Sequence, residues 1–116
     1  MHRQIKIIIN MKVLDLSLTY HWYDEIAAGR KKEEYRTYNQ YYYNRLCYAV
    51  LQKLDGTFED CFKPYHAVRF HRGQGSRTTM LVKCLGITIG LGIPELGAPV
   101  GKKVFIIKLG DIITEK

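Results

Sequence analysis

Three charged residues follow a short amphipathic segment in the first third of the chain. Together with Gly29, residues Lys31, Glu34 and Arg36 have the spacing G-x-K-x-x-E-x-R. The two cations could bind a phosphate or a base carbonyl, and the carboxylate could accept a hydrogen bond from the exocyclic amine of a nucleobase. The alternative is an ordinary solvated ion pair between Glu34 and Arg36, worth under about 1 kcal/mol. From the residues alone, both interpretations stay open.

Aromatic residues continue from this motif into the next segment, where they alternate with arginines. The tyrosines are Tyr35, Tyr38, Tyr41, Tyr42 and Tyr43. Exposed rings beside guanidinium groups can stack on the bases of single-stranded RNA. A helix packed on a sheet would instead bury some of these rings and leave their hydroxyls wet. We expect one or two of the five, Tyr35 or Tyr38 first, to contact a ligand.

A second basic cluster surrounds a glycine-containing loop at residues 73–76. Its members are Arg69, His71, Arg72 and Arg77. The glycines would let backbone amides approach a phosphate, so Arg69 and Arg72 join the candidate binding residues, although a solvated hairpin end explains the cluster equally well. His66 and His71 would face opposite sides of one strand, and the cysteines show no C-x-x-C spacing, so we expect no metal site.

Composition sets the broad class. The chain has 116 residues, 47% of them hydrophobic, and a formal net charge of +7. This size and apolar content suit one self-standing domain, and the charge favours phosphate-rich partners. No apolar run is long enough to span a bilayer or to form a signal peptide, which predicts a cytoplasmic protein without a membrane partner. No nucleotide-binding or hydrolase signature is present, and no cofactor is expected.

Periodicity predicts the elements that carry the motif. A strand is expected from Met11, followed by a helix over residues 20–28 that Thr19 can cap, that packs through Trp22 and Ile26, and that Gly29 closes. The alternation from Lys32 to Arg36 predicts a strand with Lys32, Glu34 and Arg36 on one face, preceded by a turn that holds Lys31.

Further elements follow from the same signals. A second helix is expected over roughly 39–48, and residues 49–62 fit either its continuation or a hairpin turning at Asp55-Gly56. Later strands are expected at 66–71, at 78–89 with a bend or bulge at Gly86, and at 104–109. About five strands and two helices, with mostly non-local pairing, favour a small closed or nearly closed barrel.

The motif and its surroundings resemble the ASCH family, small PUA-like domains found as single-domain proteins in bacteria and phages. The resemblance covers roughly residues 11–113 and includes the opening Met11-Lys-Val-Leu, the helix with Trp22, the Arg-x-x-Gly segment at 69–73 and the ending at 101–110. It implies an α+β fold, a small mixed β-barrel of about five to six strands with two helices. The domain would occupy residues 11–116, after an N-terminal extension, residues 1–10, that is expected to be partly loose.

The same resemblance implies binding of RNA or a modified nucleotide in a basic cleft beside the first helix. The residues it implicates, with those weighed above, are Lys31, Glu34, Arg36, Tyr35, Tyr38, Arg69 and Arg72. Some bacterial members are amidohydrolases on acylated cytidine or ribonucleases, so a hydrolase using Lys31 and Glu34 is the alternative. In the amidohydrolases a threonine stands three residues after the lysine. Glu34 stands there in this chain, and a carboxylate would keep Lys31 charged, which favours binding over catalysis.

Overall fold

The first strand and helix form one side of the molecule in a computed structural model, which describes residues 11–48, 51–52, 58–59 and 62–115. Strand β1 (Val13–Leu18) buries Leu14, Leu16 and Leu18, because every second side chain of a strand faces the same side. The predicted strand is therefore confirmed. The N-terminal extension, residues 1–10, lies outside the described residues.

Helix α1 (Tyr20–Ala27) begins after Thr19 and ends two residues before Gly29, the glycine predicted to close it. Gly29 has φ +79°, the left-handed conformation expected of a residue that closes a helix. Two details differ from prediction. The Thr19 side chain makes no capping hydrogen bond, and the helix buries Tyr23 together with Ile26, whereas Trp22 is only partly buried.

Strand β2 (Glu33–Thr37) carries the motif, and helix α2 (Gln40–Leu46) follows it, both close to the predicted bounds. The Asn39 side chain caps α2 by accepting from the Tyr42 backbone N–H at 2.9 Å. Within residues 49–62 the structure has two short antiparallel strands, β3 (Leu51–Gln52) and β4 (Phe58–Glu59). The hairpin alternative is therefore favoured, while its predicted turn lies outside the described residues.

Five strands form the main sheet, in the order β1-β5-β6-β7-β2. The later three are β5 (Ala67–Arg72), β6 (Thr79–Leu91) and β7 (Lys103–Glu115), and β1 pairs in parallel with β5 whereas the other neighbours are antiparallel. The register between β6 and β7 shifts at Gly86, whose φ is +135°, so the predicted bulge is confirmed. Strand β7 is longer than predicted.

The sheet curls around a core that both helices help to cover. Its largest fully buried side chains include Phe70, Phe105 and Leu46. The two edge strands approach each other, since Arg36 on β2 donates from Nη2 to the Ser17 carbonyl oxygen on β1 at 2.9 Å. The protein is thus a small α+β domain with two helices and a curled, mixed five-stranded sheet, compatible with a barrel-like fold. Neither helix in the described part of the chain could cross a membrane.

Candidate functional site

Lys31, Glu34 and Arg36 lie in mutual contact and form what we term the ionic triad. Lys31 Nζ lies 3.2 Å from Glu34 Oε1, and Arg36 Nη2 lies 2.7 Å from Glu34 Oε2. Lys31 is 3% exposed and Glu34 is 5% exposed. The solvated ion pair considered from the sequence is therefore excluded, because the carboxylate is buried between two cations.

The register of β2 explains why these charges face inward. Glu34 lies opposite Ile107 of β7, and Arg36 lies opposite Phe105. Directly paired residues in an antiparallel sheet share a face, and both partners are fully buried, so Glu34 and Arg36 point to the interior side of the curled sheet. Glu33, one residue earlier, faces the other side and pairs with Lys108.

Lys31 enters the site from the turn that Gly29 makes. Its ammonium donates to the Leu96 carbonyl oxygen at 2.6 Å and lies 4.1 Å from the centre of the Trp22 ring. With Glu34 as the third partner, each ammonium donor has an acceptor or an aromatic face. The buried Lys31 ammonium therefore has a partner for each of its donors.

The segment 92–98 covers Lys31, and two glycines allow its close approach. A Cβ at Gly92 would lie 2.7 Å from Cε1 of Tyr35 and 2.6 Å from the Cβ of Ala98. Gly97 has φ +102°, and a Cβ there would meet the Trp22 ring at 3.0 Å. Any larger residue at position 92 would push this segment away from the triad.

Arg36 is held at three points around its guanidinium. Besides Glu34 and Ser17, it donates from Nη1 to the Tyr42 hydroxyl at 3.1 Å. Its Nε is buried and has no hydrogen-bond acceptor among the described residues. The guanidinium is consequently fixed in place, with its charge only partly offset because the triad as a whole carries a net charge of +1.

The candidate tyrosines of β2 and the following turn differ in exposure. The hydroxyl of Tyr35 donates to Glu33 at 2.8 Å and accepts from the Ile93 N–H at 3.2 Å. Burial, aided by the Glu33 carboxylate, raises the pKa of Tyr35 to about 12. Tyr38 packs against Phe105 with ring centres 5.2 Å apart, yet it remains 49% exposed. Tyr38 is thus the ring better placed to stack on a ligand.

A hollow of about 380 Å³, which we term the larger hollow, lies between the end of α1 and β7. Lys31 is one of its lining residues. Ile26, Val82 and Leu109 give it apolar walls, while Lys32 and Asp111 are its other charged lining residues. This volume falls within the range of about 300–1,000 Å³ that is usual for small-molecule sites. The C-terminal end of α1, whose partial charge is negative, favours hydrogen-bond donors such as base amines.

A smaller hollow of about 180 Å³ lies between β2, the segment after residue 96 and the start of β7. Arg36, Lys102 and Lys103 line it together with Tyr35 and Thr37. Sequence reasoning missed Lys102 and Lys103, because nothing near them in sequence points to the motif. Ser17 and Leu96 were missed as triad partners because they act through backbone carbonyls of distant segments, and Tyr42 was considered as a stacking ring rather than as a partner of Arg36.

The second basic cluster makes different contacts. Arg69 lies 3.3 Å from Asp15, and Arg72 makes two 3.0 Å hydrogen bonds to Asp24 while its guanidinium lies 4.3 Å from the Tyr20 ring centre. Arg72 holds the pKa of Asp24 below its usual value. Arg69 and Arg72 therefore pair with carboxylates on β1 and α1 and are not part of the ionic triad.

His71 shares Asp15 with Arg69. Its Nε2 lies 2.8 Å from Asp15 Oδ1, and its Nδ1 lies 3.1 Å from the Ser76 carbonyl oxygen. The hydrogen bond with Asp15 raises the pKa of His71. No cluster of three or more metal-ligating side chains occurs in the part of the chain that the structure describes.

Fold and site together define a class: a small basic α+β domain whose curled sheet encloses a cation–carboxylate–cation triad, with Lys31 lining one hollow and Arg36 lining another. Comparison with known proteins gives no more particular assignment. No protein-family model, curated protein or solved structure matches this chain.

Proposed function

We propose that this chain is an RNA- or modified-nucleotide-binding module of the PUA-like, ASCH type. The observation that carries the proposal is the ionic triad, whose three members come from the G-x-K-x-x-E-x-R motif and one of which, Lys31, lines a hollow of about 380 Å³ at the end of α1. A base or nucleoside would occupy this larger hollow, and the ribose-phosphate chain would run over the basic surface around it.

Electrostatics support a polyanionic partner. The chain carries a formal charge of +7, of which the triad contributes a fixed local excess of one positive charge. Such a field attracts phosphates at long range, whereas groups within the hollow would select the base. The apolar walls of the larger hollow suit the faces of a base. Asp111 and the C-terminal end of α1 could accept hydrogen bonds from its exocyclic amines.

The cost of burying the triad also supports a binding role. Desolvating each buried ion costs several kcal/mol, and well-packed apolar residues often stabilise a fold as much or more. A buried triad is therefore better explained as a preorganised electrostatic element than as a source of stability. In this arrangement Glu34 positions the two cations, because each of its oxygens already accepts from one of them.

The same geometry favours binding over the hydrolase alternative. A lysine that acts as nucleophile or base must direct an unprotonated amine at its substrate. Lys31 Nζ is directed at Leu96 O, Glu34 and the face of Trp22, and its side chain is almost fully buried. We therefore assign Lys31 to the floor of a binding site.

Titration of a labelled short single-stranded RNA at several salt concentrations tests the proposal. The logarithm of the affinity should fall with the logarithm of salt, with a slope of about −0.7 for each contacted phosphate. Ala28 is an exposed residue of the larger hollow's lining, so Ala28→Trp would occupy part of that space and should weaken binding about tenfold or more, equivalent to about 1.4 kcal/mol.

Lys12→Gln is the matched control, since Lys12 is exposed and lines neither hollow. It should bind RNA nearly as well as the wild type. Salt-independent binding, or equal affinity of Ala28→Trp and wild type, would overturn the proposal. Incubation with acylated cytidine tests the hydrolase, which is supported only if deacylation requires Lys31.

A further inference from the structure

We infer that the smaller hollow, lined by Arg36, Lys102 and Lys103, is a phosphate-binding subsite. The chemistry it selects is a phosphate group. The source of this phosphate, the RNA backbone or a nucleotide, rests on the proposed function. The existence of the anion site does not depend on it.

The charges around this hollow have one sign. Its three ionisable cations are Arg36, Lys102 and Lys103, and none of the described residues lining it is an aspartate or glutamate. Glu95, on the nearby 3₁₀ turn Pro94–Leu96, is exposed and is not part of the lining. Glu34, 2.7 Å from Arg36 Nη2, offsets part of that charge but does not line the hollow, so the two lysines and Arg36 leave a net positive potential where an anion would bind.

Several cations elsewhere among the described residues form ion pairs with carboxylates, whereas others, such as Lys12 and Lys83, do not. Arg30 pairs with Glu25, Arg72 with Asp24, and Lys108 with Glu33. Lys102 and Lys103 are exposed and take part in no ion pair within the described ranges. Their charges remain available to a ligand.

Arg36 gives the hollow a rigid wall. Its side chain is only 14% exposed, and contacts with Glu34, Ser17 and Tyr42 fix the guanidinium. A fixed guanidinium loses little conformational freedom on binding, while the two flexible lysines can close around the anion. Thr37 also lines the hollow and carries a hydroxyl that can donate.

Size separates this subsite from the larger hollow. At about 180 Å³ it has roughly six times the ~30 Å³ that one water occupies in the liquid. That space admits a phosphate group with a few waters but is tight for a nucleoside. Because Lys31 lines the larger hollow and Arg36 the smaller one, the triad connects a base site with a phosphate site.

The double variant Lys102→Gln/Lys103→Gln tests this subsite against Lys12→Gln/Lys83→Gln. Both pairs remove two positive charges, and the control lysines are exposed and line neither hollow. Inorganic phosphate, and cytidine 5′-monophosphate compared with cytidine, are titrated into isotope-labelled protein while amide shifts are recorded.

We expect phosphate to shift the amides of Thr37, Gly97 and Lys103 in the wild type and in the control. In Lys102→Gln/Lys103→Gln the phosphate affinity should fall about tenfold. Cytidine, which has no phosphate, should not shift these amides in the wild type. Absence of shifts around the hollow, or equal weakening by both double variants, would overturn the subsite.

The RNA titration separates the two proposals. In Lys102→Gln/Lys103→Gln the salt slope for short single-stranded RNA should decrease by about 0.7, the contribution of one phosphate, beyond any change in the control. If RNA fails to bind but phosphate occupies the hollow, the proposed function fails and the anion site stands. If RNA binds and the slope and amides are unchanged, the subsite fails and the proposed function stands.

Discussion

A hydrogen bond between Arg36 on β2 and Ser17 on β1 joins the two edge strands of the sheet. Arg36 Nη2 donates to the Ser17 carbonyl oxygen at 2.9 Å. The same nitrogen lies 2.7 Å from Glu34. A closed barrel would connect these edges with a backbone ladder, whereas here a side chain spans them. The motif arginine therefore has a structural role in curling the sheet as well as a role in the site.

Replacing Arg36 should cost much more stability than replacing an exposed arginine. Arg36→Ala leaves Glu34 with one of its two cations and removes the link to Ser17, and loss of a buried ion partner costs about 3–5 kcal/mol. Arg30→Ala, which breaks an exposed pair with Glu25, should leave the denaturation midpoint nearly unchanged. Urea unfolding of both variants measures the difference, and equal midpoints would contradict the bridging role.

Lys31 and Glu34 should be energetically coupled. Lys31→Met leaves one oxygen of the buried carboxylate without its cation, and Glu34→Gln leaves two buried cations sharing a neutral amide. Each change should destabilise the fold, but the double variant should lose less than the sum, by about 0.5–3 kcal/mol, because neither defect adds fully to the other. A double-mutant cycle by chemical denaturation measures this coupling, and strict additivity would mean that the pair does not interact.

Gly92→Ala should destabilise the segment over Lys31. The added Cβ would lie 2.6–2.8 Å from atoms of Ala98 and Tyr35, and such overpacking costs about 1–3 kcal/mol. Gly90→Ala is the matched control, because its Cβ would make an ordinary 3.7 Å contact with Ile106. Thermal unfolding should separate the two variants, and similar melting temperatures would show that the segment yields without cost.

The contribution of His71 to stability should depend on pH. Its pKa is raised in the folded state by the hydrogen bond with Asp15, so the stabilisation is fully present below its unfolded pKa of about 6.5 and is lost as pH rises through the folded pKa. Partial burial acts to raise the pKa of Asp15, but hydrogen bonds from His71 and Arg69 outweigh it and lower that pKa. The Asp15 contribution is therefore lost only in acid, as pH falls through its folded pKa.

At about pH 5 to 6, His71 is charged and Asp15 is ionised, so we expect His71→Asn to destabilise the protein most there. Above about pH 8 the effect should be smallest. Denaturation of wild type and variant across this range gives the difference directly. In Asp15→Asn the same dependence should be strongly reduced. A His71→Asn effect that stays constant with pH would contradict a charged His71–Asp15 pair.

Much of the local structure was accessible from sequence because neighbouring residues encode it. The closing glycine of α1, the alternation of β2, the bounds of α2 and the bulge at Gly86 were all predicted and observed. Each depends on backbone preferences or on a short period of apolar side chains. The buried face of α1 was predicted less well, since Tyr23 and Trp22 are adjacent and only packing decides which faces the core.

By itself, the sequence determined that Lys31, Glu34 and Arg36 would lie close together, because Lys31 is in the turn after a helix end and the other two share the strand that follows. Only the tertiary structure decided that this group faces inward, since an alternating strand can present either face and pairing with Ile107 and Phe105 selects one. The acceptors at Ser17 and Leu96, like the lysines at 102 and 103, come from distant segments. Their proximity depends on register and sheet curl, which arise from long-range pairing and leave no local pattern.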